Sequence, residues 1–322
     1  MTVKHSQAYV QTPLIESPYL SAINGCNVYL KLENTQPSGS FKLRGLGTLV
    51  SQRVNSSPKV HFFTSSGGNA GLAVATAARS YQKPCTVVVP STTKQAMIRR
   101  LEKLGAEVIV HGNQWSEADR YLREELMTST PDNVDAVYCH PFDDPVVWEG
   151  HSTMVDEIAS QLNAKPDAVI LSVGGGGLYN GVIKGMERNG WLDSVPVIAV
   201  ETEGAPTLHK SIEAGKNIVL PEIKTVATSL GAAYVTKTTL DNAMNKSQTK
   251  SVLVTDKEAT SAVYQFADDH KFVIEPACGA ALAIGYEDKL KGLVDLKPTS
   301  NVVVIVCGGC AVPVDQLASM KP

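Results

Sequence analysis

Short apolar runs rich in β-branched residues alternate with segments of helical periodicity along most of the chain. The strand-like runs and the helical patterns that follow them are, in chain order, 85–90, 92–104, 106–110, 115–127, 136–140 and 151–162. Because repeated alternation of this length produces parallel strands covered by helices, the pattern predicts an α/β fold with parallel-type sheets. No linker, low-complexity tract or repeat interrupts it, so the pattern alone predicts no domain boundary.

One of the apolar runs, 169–173, opens into four consecutive glycines, Gly174 to Gly177, before a helical pattern at 179–189. Residues without side chains between a strand and a helix allow backbone N–H groups to approach an anion, and the helix N-terminus adds partial positive charge. The spacing matches neither the Walker motif nor the dinucleotide fingerprint. It therefore predicts a phosphate site without a nucleotide, the alternative being a tight strand-to-helix turn with no ligand.

A second glycine-rich turn, residues 65–71, follows the strand-like run 61–64 and precedes a helical pattern at 72–80. Its hydroxyl groups, its amide and its backbone donors suit a small carboxylate at a helix N-terminus. An N-cap turn formed by Ser66 or Asn69 alone is the alternative.

Lys42 lies within the segment 37–45, between an aromatic residue and small neighbours, just after the strand-like run 27–32. A lysine amine becomes a nucleophile when burial or nearby cations suppress its charge, and a Schiff base with an aldehyde is a common use of such an amine. Lys42 is therefore the first catalytic candidate, although a lysine in the first turn of a helix is usually a solvated surface residue.

Near the C-terminus, the apolar run 302–306 is typical of a strand buried on both faces, and it is followed by Cys307 and Cys310 in CxxC spacing. No second CxxC is present to complete a zinc site. We interpret Cys307 as a buried thiol at a strand end, where open parallel sheets bind ligands.

The composition favours an ordinary enzyme of small molecules. The 322 residues carry a net charge of −3, without the excess of either sign that would attract nucleic acid or a membrane. Six cysteines without a framework of close pairs are typical of reduced thiols in the cytosol. The N-terminus has no apolar signal core, and no apolar stretch approaches the ~20 residues of a membrane span. A cytoplasmic location is expected.

Five motifs, PSGSFKLRG, SSGGNAG, SVGGGGLYNG, EPACGAAL and VIVCGG, follow one another in that order. Together they resemble the fold-type II family of pyridoxal-phosphate enzymes, most closely the L-serine/L-threonine dehydratases, over nearly the whole chain. The resemblance implies a two-domain α/β fold similar to the tryptophan synthase β-subunit. A small α/β domain at 45–147 would be inserted into a large cofactor-binding domain formed by 1–44 and 148–322.

The resemblance also assigns roles to residues. Lys42 would form the Schiff base with pyridoxal 5'-phosphate and act as the base, while Phe41 would pack on the cofactor ring. The remaining cofactor contacts would be Asn69 at the ring hydroxyl, Gly174, Gly175, Gly176, Gly177 and Leu178 at the phosphate, and Cys307 at the ring nitrogen. The substrate carboxylate would be surrounded by Ser66, Gly67, Asn69 and Ala70. A monovalent cation, potassium, would be held by Glu201 and the carbonyls of Ala205, Leu230 and Ala232.

The implied reaction is dehydration and deamination of L-serine to pyruvate and ammonia, and of L-threonine to 2-oxobutanoate. A neutral thiol at Cys307 cannot enforce protonation of the ring nitrogen as an aspartate does, which favours β-elimination over racemisation. The alternatives are a serine racemase or another β-eliminating or β-replacing enzyme, and, from a different class, a noncatalytic phosphometabolite-binding protein.

The resemblance alone implies a homodimer. It leaves the preference between serine and threonine open, because some relatives have alanine where this chain has Gly67. We interpret His140, His151 and Trp148 as structural.

Overall fold

The computed structural model describes residues 7–320, and the contacts within it divide the chain into two compact units. One contains residues 36–150 together with the segment up to Val10, and the other contains residues 11–35 and the chain from His151 onward. The ends of the predicted large domain, residues 1–6 and 321–322, lie outside the described residues. The predicted boundaries at 44/45 and 147/148 stay a prediction, since a division by contacts does not define domains.

Ten strands lie within residues 7–320. They are β1 (Leu14–Glu16), β2 (Asn27–Leu32), β3 (Val60–Thr64), β4 (Cys85–Val89), β5 (Glu107–Val110), β6 (Asp135–Tyr138), β7 (Ala168–Ser172), β8 (Val197–Thr202), β9 (Thr249–Val254) and β10 (Asn301–Val306).

Helices connect most of these strands. They are α1 (Pro18–Asn24), α2 (Lys42–Ser56), α3 (Asn69–Ser80), α4 (Gln95–Lys103), α5 (Trp115–Tyr121), α6 (Pro145–Leu162), α7 (Gly177–Arg188), α8 (Thr207–Ala214), α9 (Lys237–Asp241), α10 (Asp256–His270), α11 (Pro276–Tyr286) and α12 (Val314–Ser319). Over the described part of the chain, no helix combines the length and the apolar character needed to cross a membrane.

The first unit contains a four-stranded sheet in the order β5-β4-β3-β6, with every pair parallel. Strand β4 is buried along its whole length. Its continuous apolar sequence follows from burial on both faces, as expected for a parallel sheet covered by helices. Because the strands are parallel, the segments after β3 and β6 both lie at the carboxyl-terminal ends of the strands.

The second unit contains a six-stranded sheet in the order β1-β2-β10-β7-β8-β9. Only β1 is antiparallel to its neighbour, and the other pairs are parallel. Helix α11 contacts β7, β8 and β10, and every one of its residues is buried. The α/β fold predicted from the alternating pattern is therefore confirmed.

Candidate active site

Lys42 is the first residue of α2, in the first unit. Its Nζ donates a 2.6 Å hydrogen bond to the carbonyl oxygen of Pro141 and lies 5.1 Å from the centroid of the Phe41 ring. The side chain is half-buried, unlike the solvated lysine that is the ordinary occupant of a first helical turn. Since Pro141 follows β6, this bond places the amine at the carboxyl-terminal ends of the strands of the four-stranded sheet.

The predicted carboxylate turn lies at the same edge. It connects β3 to α3, and β3 is the neighbour of β6; the hydroxyl of Thr64 donates to the carbonyl of Cys139 across the two strand ends. The N-cap residue of α3 is Gly68, which has no side chain to cap the helix, and the first turn contains no acidic residue. Ser66, Gly67 and Asn69 are half-buried and Ala70 is buried. This helix N-terminus fits a small anion.

The four glycines connect β7 to α7 in the second unit, and Leu178 behind them is buried. Gly176 is the N-cap of α7 and has a φ of +95°, and a Cβ there would lie 1.9 Å from Oγ1 of Thr239. Only glycine meets both conditions without strain. The first turn of α7 has no acidic residue and no side-chain cap, so its N–H groups fit a phosphate.

Cys307 directly follows β10, the neighbour of β7, and therefore lies at the same sheet edge as Gly174. The thiol is buried, and its Sγ is 3.9 Å from the carbonyl oxygen of Gly308. A hydrogen bond with Cys278 and burial hold the pKa of the Cys307 thiol well above its usual range. The thiol is accordingly neutral, as its sequence context predicts. Within this unit, a neutral thiol and a glycine-rich turn follow two adjacent strands.

Glu201, the second-last residue of strand β8, is fully buried. Its carboxylate accepts the backbone N–H groups of Leu208 and His209, each at 2.7 Å, and so caps α8. Burial raises the pKa of Glu201 to about 7, although these N–H groups act in the opposite direction.

Two of the carbonyl groups predicted to act with Glu201 already accept hydrogen bonds. The carbonyl of Ala232 accepts one from the hydroxyl of Thr207 at 2.8 Å, and the carbonyl of Leu230 accepts one from the N–H of Ala232 at 2.8 Å. Ala205 is buried, and its N–H donates to the carbonyl of Thr202. Thr207 is the first residue of α8, so it connects Ala232 to the helix that Glu201 caps. Groups of three or more His, Cys, Asp or Glu side chains suited to a metal ion are absent from the described residues. A cation here would depend on carbonyl oxygens and a single carboxylate.

Sequence reasoning missed the turn that receives Lys42. His140 and Pro141 belong to no sequence motif, and the sequence alone gives the imidazole a structural role. The available signal was their position: His140 ends a predicted strand and Pro141 directly follows it, at the carboxyl end of the strand, where parallel sheets place ligand-binding groups.

Comparisons with known proteins address the family to which the chain belongs. Residues 5–308 match the family model described as "Pyridoxal-phosphate dependent enzyme". The chain is 43% identical over 316 residues to an L-serine dehydratase of Saccharomyces cerevisiae, an alignment that covers 94% of this chain and 93% of the relative. It is 44% identical over 317 residues to the L-serine dehydratase/L-threonine deaminase of Mus musculus, covering 97% and 95% of the two chains.

Among solved structures, a fungal L-serine ammonia-lyase from Rhizomucor miehei superposes with a TM-score of 0.90 at 36% identity, covering 98% of each chain. Both the match over most of the sequence and the shared architecture confirm the resemblance carried by the five motifs. The chain belongs to the family of pyridoxal-phosphate dependent enzymes.

Proposed function

We propose that this chain is a pyridoxal-phosphate-dependent L-serine/L-threonine dehydratase, which converts L-serine to pyruvate and ammonia and L-threonine to 2-oxobutanoate and ammonia. The observation that carries the proposal is the placement of Lys42. Its amine is held at the same carboxyl-terminal strand ends as the N-terminus of α3, which has no side-chain cap and suits a carboxylate. The names of the relatives from yeast, mouse and Rhizomucor miehei support the same reaction.

The residues proposed to hold the cofactor fit its parts. Phe41 would pack on the ring, Lys42 would bind the aldehyde carbon, and Asn69 would bond the ring hydroxyl. Gly174 to Gly177 and Leu178 would bind the phosphate through backbone N–H groups, and Cys307 would face the ring nitrogen. When bound, the cofactor supplies an electron sink for the substrate Cα.

The chain itself supplies binding and proton transfer. The N–H groups and hydroxyl of the turn formed by Ser66, Gly67, Asn69 and Ala70 bind and orient the substrate carboxylate. With the cofactor bound, the amine of Lys42 would accept the Cα proton of the substrate. Cys307, as a neutral thiol, provides no strong acid to the ring nitrogen, which favours rapid loss of the β-hydroxyl over racemisation.

Borohydride reduction tests the proposal directly. After incubation with pyridoxal 5'-phosphate, reduction should attach the cofactor to the peptide that contains Lys42, and the wild-type chain should form 2-oxo acids from L-serine and L-threonine. Lys42→Ala should lose both results, whereas the matched control Lys103→Ala, a change in the last turn of α4, should keep both. A colourless protein with no adduct would overturn the proposal.

Two alternatives have distinct outcomes in the same experiment. A serine racemase would convert L-serine mainly to D-serine, which chiral chromatography detects. A noncatalytic phosphometabolite-binding protein would release its ligand on denaturation and would form no product.

Potassium is proposed as a second ligand, at Glu201 and the carbonyls of Ala205, Leu230 and Ala232. A fully buried carboxylate whose pKa is about 7 is only partly ionised at neutral pH, and a bound cation would favour its charged form. Activity that is equal in potassium chloride and in tetramethylammonium chloride would count against the site.

A cytoplasmic location and a homodimer complete the proposal. All six cysteines lie within the described residues and none forms a disulfide, which is typical of a reducing compartment. The homodimer depends on the family resemblance alone. Light scattering of the purified chain tests it, since a monomer mass would contradict it.

A further inference from the structure

The turn after β6 is organised around one nitrogen atom of His140. Nδ1 of His140 accepts the backbone N–H of Phe142 at 3.2 Å and that of Asp143 at 2.8 Å. The imidazole also contacts Phe142 edge to face, with 4.7 Å between ring centroids. Two successive peptide planes are therefore oriented by a single acceptor.

The same two planes fix the directions of two carbonyl groups. In a trans peptide the N–H and the C=O point in opposite directions, so an N–H that points to His140 turns the preceding carbonyl away from it. The carbonyl paired with the Phe142 N–H belongs to Pro141 and accepts Nζ of Lys42 at 2.6 Å. The carbonyl paired with the Asp143 N–H belongs to Phe142 and accepts the indole N–H of Trp148 at 2.6 Å.

We propose that His140 is a positioning residue of the reaction: it holds the Pro141 carbonyl as the resting place of the Lys42 amine whenever that amine is not bonded to the cofactor. This inference rests on the proposed function. A lysine released at the end of a flexible four-carbon chain can take many positions, and a fixed acceptor restricts it to one.

The hydrogen bond is compatible with the chemistry of a base. A neutral amine donates one N–H to the carbonyl and keeps its lone pair for the substrate. When the Cα–H bond breaks, the proton forms a new N–H bond on Nζ and the electron pair of the broken bond stays with the substrate. The resulting ammonium still donates to Pro141, so the acceptor serves both before and after proton transfer.

The protonation state of the imidazole follows from its contacts. Because Nδ1 accepts two N–H groups, the ring proton is on Nε2 and His140 is neutral. Burial lowers the pKa of His140, and the charge of Lys42 lowers it further. The carboxylates of Asp143, Asp119 and Asp144 raise it, but by less than burial and Lys42 together lower it. Below that pKa, Nδ1 would become a donor and the turn would lose its acceptor.

Three variants separate positioning from simple packing. His140→Ala removes the acceptor. His140→Phe removes it but keeps an aromatic ring beside Tyr138 and Phe142, so it remains informative if the alanine variant fails to fold. His140→Asn restores an oxygen acceptor that can reach the N–H two residues later, as in an Asx-turn. Trp148→Phe is the matched control, since it removes the donor from the other carbonyl of the same turn.

The first measurement uses the cofactor-loaded enzyme with L-serine and with L-serine deuterated at Cα. His140→Ala and His140→Phe should lower kcat by about tenfold to a hundredfold, the range expected for a misplaced reacting group. The deuterium isotope effect on kcat should rise and KM should change little. His140→Asn should recover most of kcat, and Trp148→Phe should resemble the wild type.

The second measurement needs no turnover. In the full chain without cofactor, acetic anhydride should acetylate Lys42 about fivefold faster in His140→Ala than in the wild type, the change that corresponds to losing one typical hydrogen bond. The other lysines serve as internal standards in the mass spectrum.

The outcomes distinguish the two levels of the argument. A wild-type chain that forms no 2-oxo acid would overturn the proposed function, and this inference with it. An active wild type whose His140→Ala and His140→Phe variants keep the wild-type kcat, isotope effect and Lys42 acetylation rate would overturn this inference alone. Equal losses in His140→Asn and His140→Phe would also overturn it, because the acceptor would then not matter.

Discussion

At the scale of single residues, Cys307 decides how strongly the cofactor ring could be activated. The thiol is buried, hydrogen-bonded to Cys278 and neutral. A carboxylate at the same place would favour a protonated ring nitrogen and a longer-lived negative charge on Cα. Cys307→Asp should therefore increase racemisation and transamination relative to elimination, measured as D-serine and 3-hydroxypyruvate formed per pyruvate. Cys307→Ser, which stays neutral, should keep the wild-type ratio, and an unchanged ratio in the aspartate variant would contradict the argument.

Gly67 is constrained by a neighbour and not by its backbone. Its φ is not positive, but a Cβ at this position would lie 2.8 Å from Cγ2 and 3.1 Å from Oγ1 of Thr93, and 3.1 Å from Cγ1 of Val89. Gly67→Ala should lower the free energy of unfolding by roughly 1–3 kcal/mol, the usual cost of overpacking.

Thr93→Ala removes both close atoms and should recover most of that loss in the double variant. Chemical unfolding of the four proteins in the cycle measures the coupling between the two positions. Additive effects of the two changes would show that Thr93 is not the obstacle.

How well the site could be predicted differs from residue to residue. Lys42, Cys307 and the glycine turns stand in sequence patterns whose local chemistry is informative. The structure places Cys307 after β10, the two glycine turns after β3 and β7, and Lys42 at the start of α2. The Pro141 carbonyl could not be predicted, because a backbone acceptor leaves no mark in the residue type. His140 matters through the N–H groups it accepts, a contact that depends on the path of the turn after β6.

At the scale of elements, α8 and the Glu201 carboxylate make stability depend on pH. The pKa of Glu201 is about 7 in the folded chain, above the ordinary value of 4.5, because the carboxylate is buried. The folded state therefore binds more protons than the unfolded state between these values, and the contribution of Glu201 to stability is present below about pH 4.5 and lost as pH rises through 7.

Chemical unfolding of the wild type and of Glu201→Gln tests this in a buffer without potassium or sodium. The stability of the wild type relative to the variant should fall by on the order of 2–3 kcal/mol between pH 5 and pH 8. Added potassium should reduce the fall if the proposed cation site exists. A difference that is constant or rises with pH would contradict the assignment.

Helix boundaries show where pattern reading reaches its limit. The helix predicted at 151–162 begins at Pro145 in the structure, so the prediction omits its first six residues, 145–150. Proline is in fact well suited to the first position of a helix, where its missing N–H costs nothing. Likewise, the pattern at 115–127 forms α5 followed by a π-helical turn at 122–126, which apolar periodicity does not distinguish from an α-helix.

At the scale of the whole molecule, the alternating pattern predicted strands and helices but not which sheet each strand would join. β2 pairs with β10, which lies far away in sequence, in the register Tyr29 to Val303. Four intervening strands, β3 to β6, form their own sheet. Apolar periodicity reports that a segment is buried, and any buried parallel strand satisfies it equally. The order of the five motifs supplied the missing information, because it identifies the family and with it the fold.

The distribution of thiols gives a test of the fold as a whole. Five cysteines, Cys26, Cys85, Cys139, Cys278 and Cys307, are buried, and Cys310 is partly exposed. Burial raises the pKa of Cys85 to about 12 and raises the pKa of Cys139 as well. Because the thiolate is the reactive form and the reagent must also reach it, these buried thiols should react slowly.

An aromatic disulfide reagent at neutral pH should therefore find one fast thiol in the native chain and six in denaturant. Cys310→Ser should abolish the fast phase, while Cys26→Ser should leave it and lower the denatured count by one. Two or more fast thiols in the native protein would mean that at least one strand end or helix described as buried is open to solvent. Because Cys307 directly follows β10 and Cys278 lies on α11, their protection from the reagent would support the packing that holds the proposed ring-nitrogen contact in place.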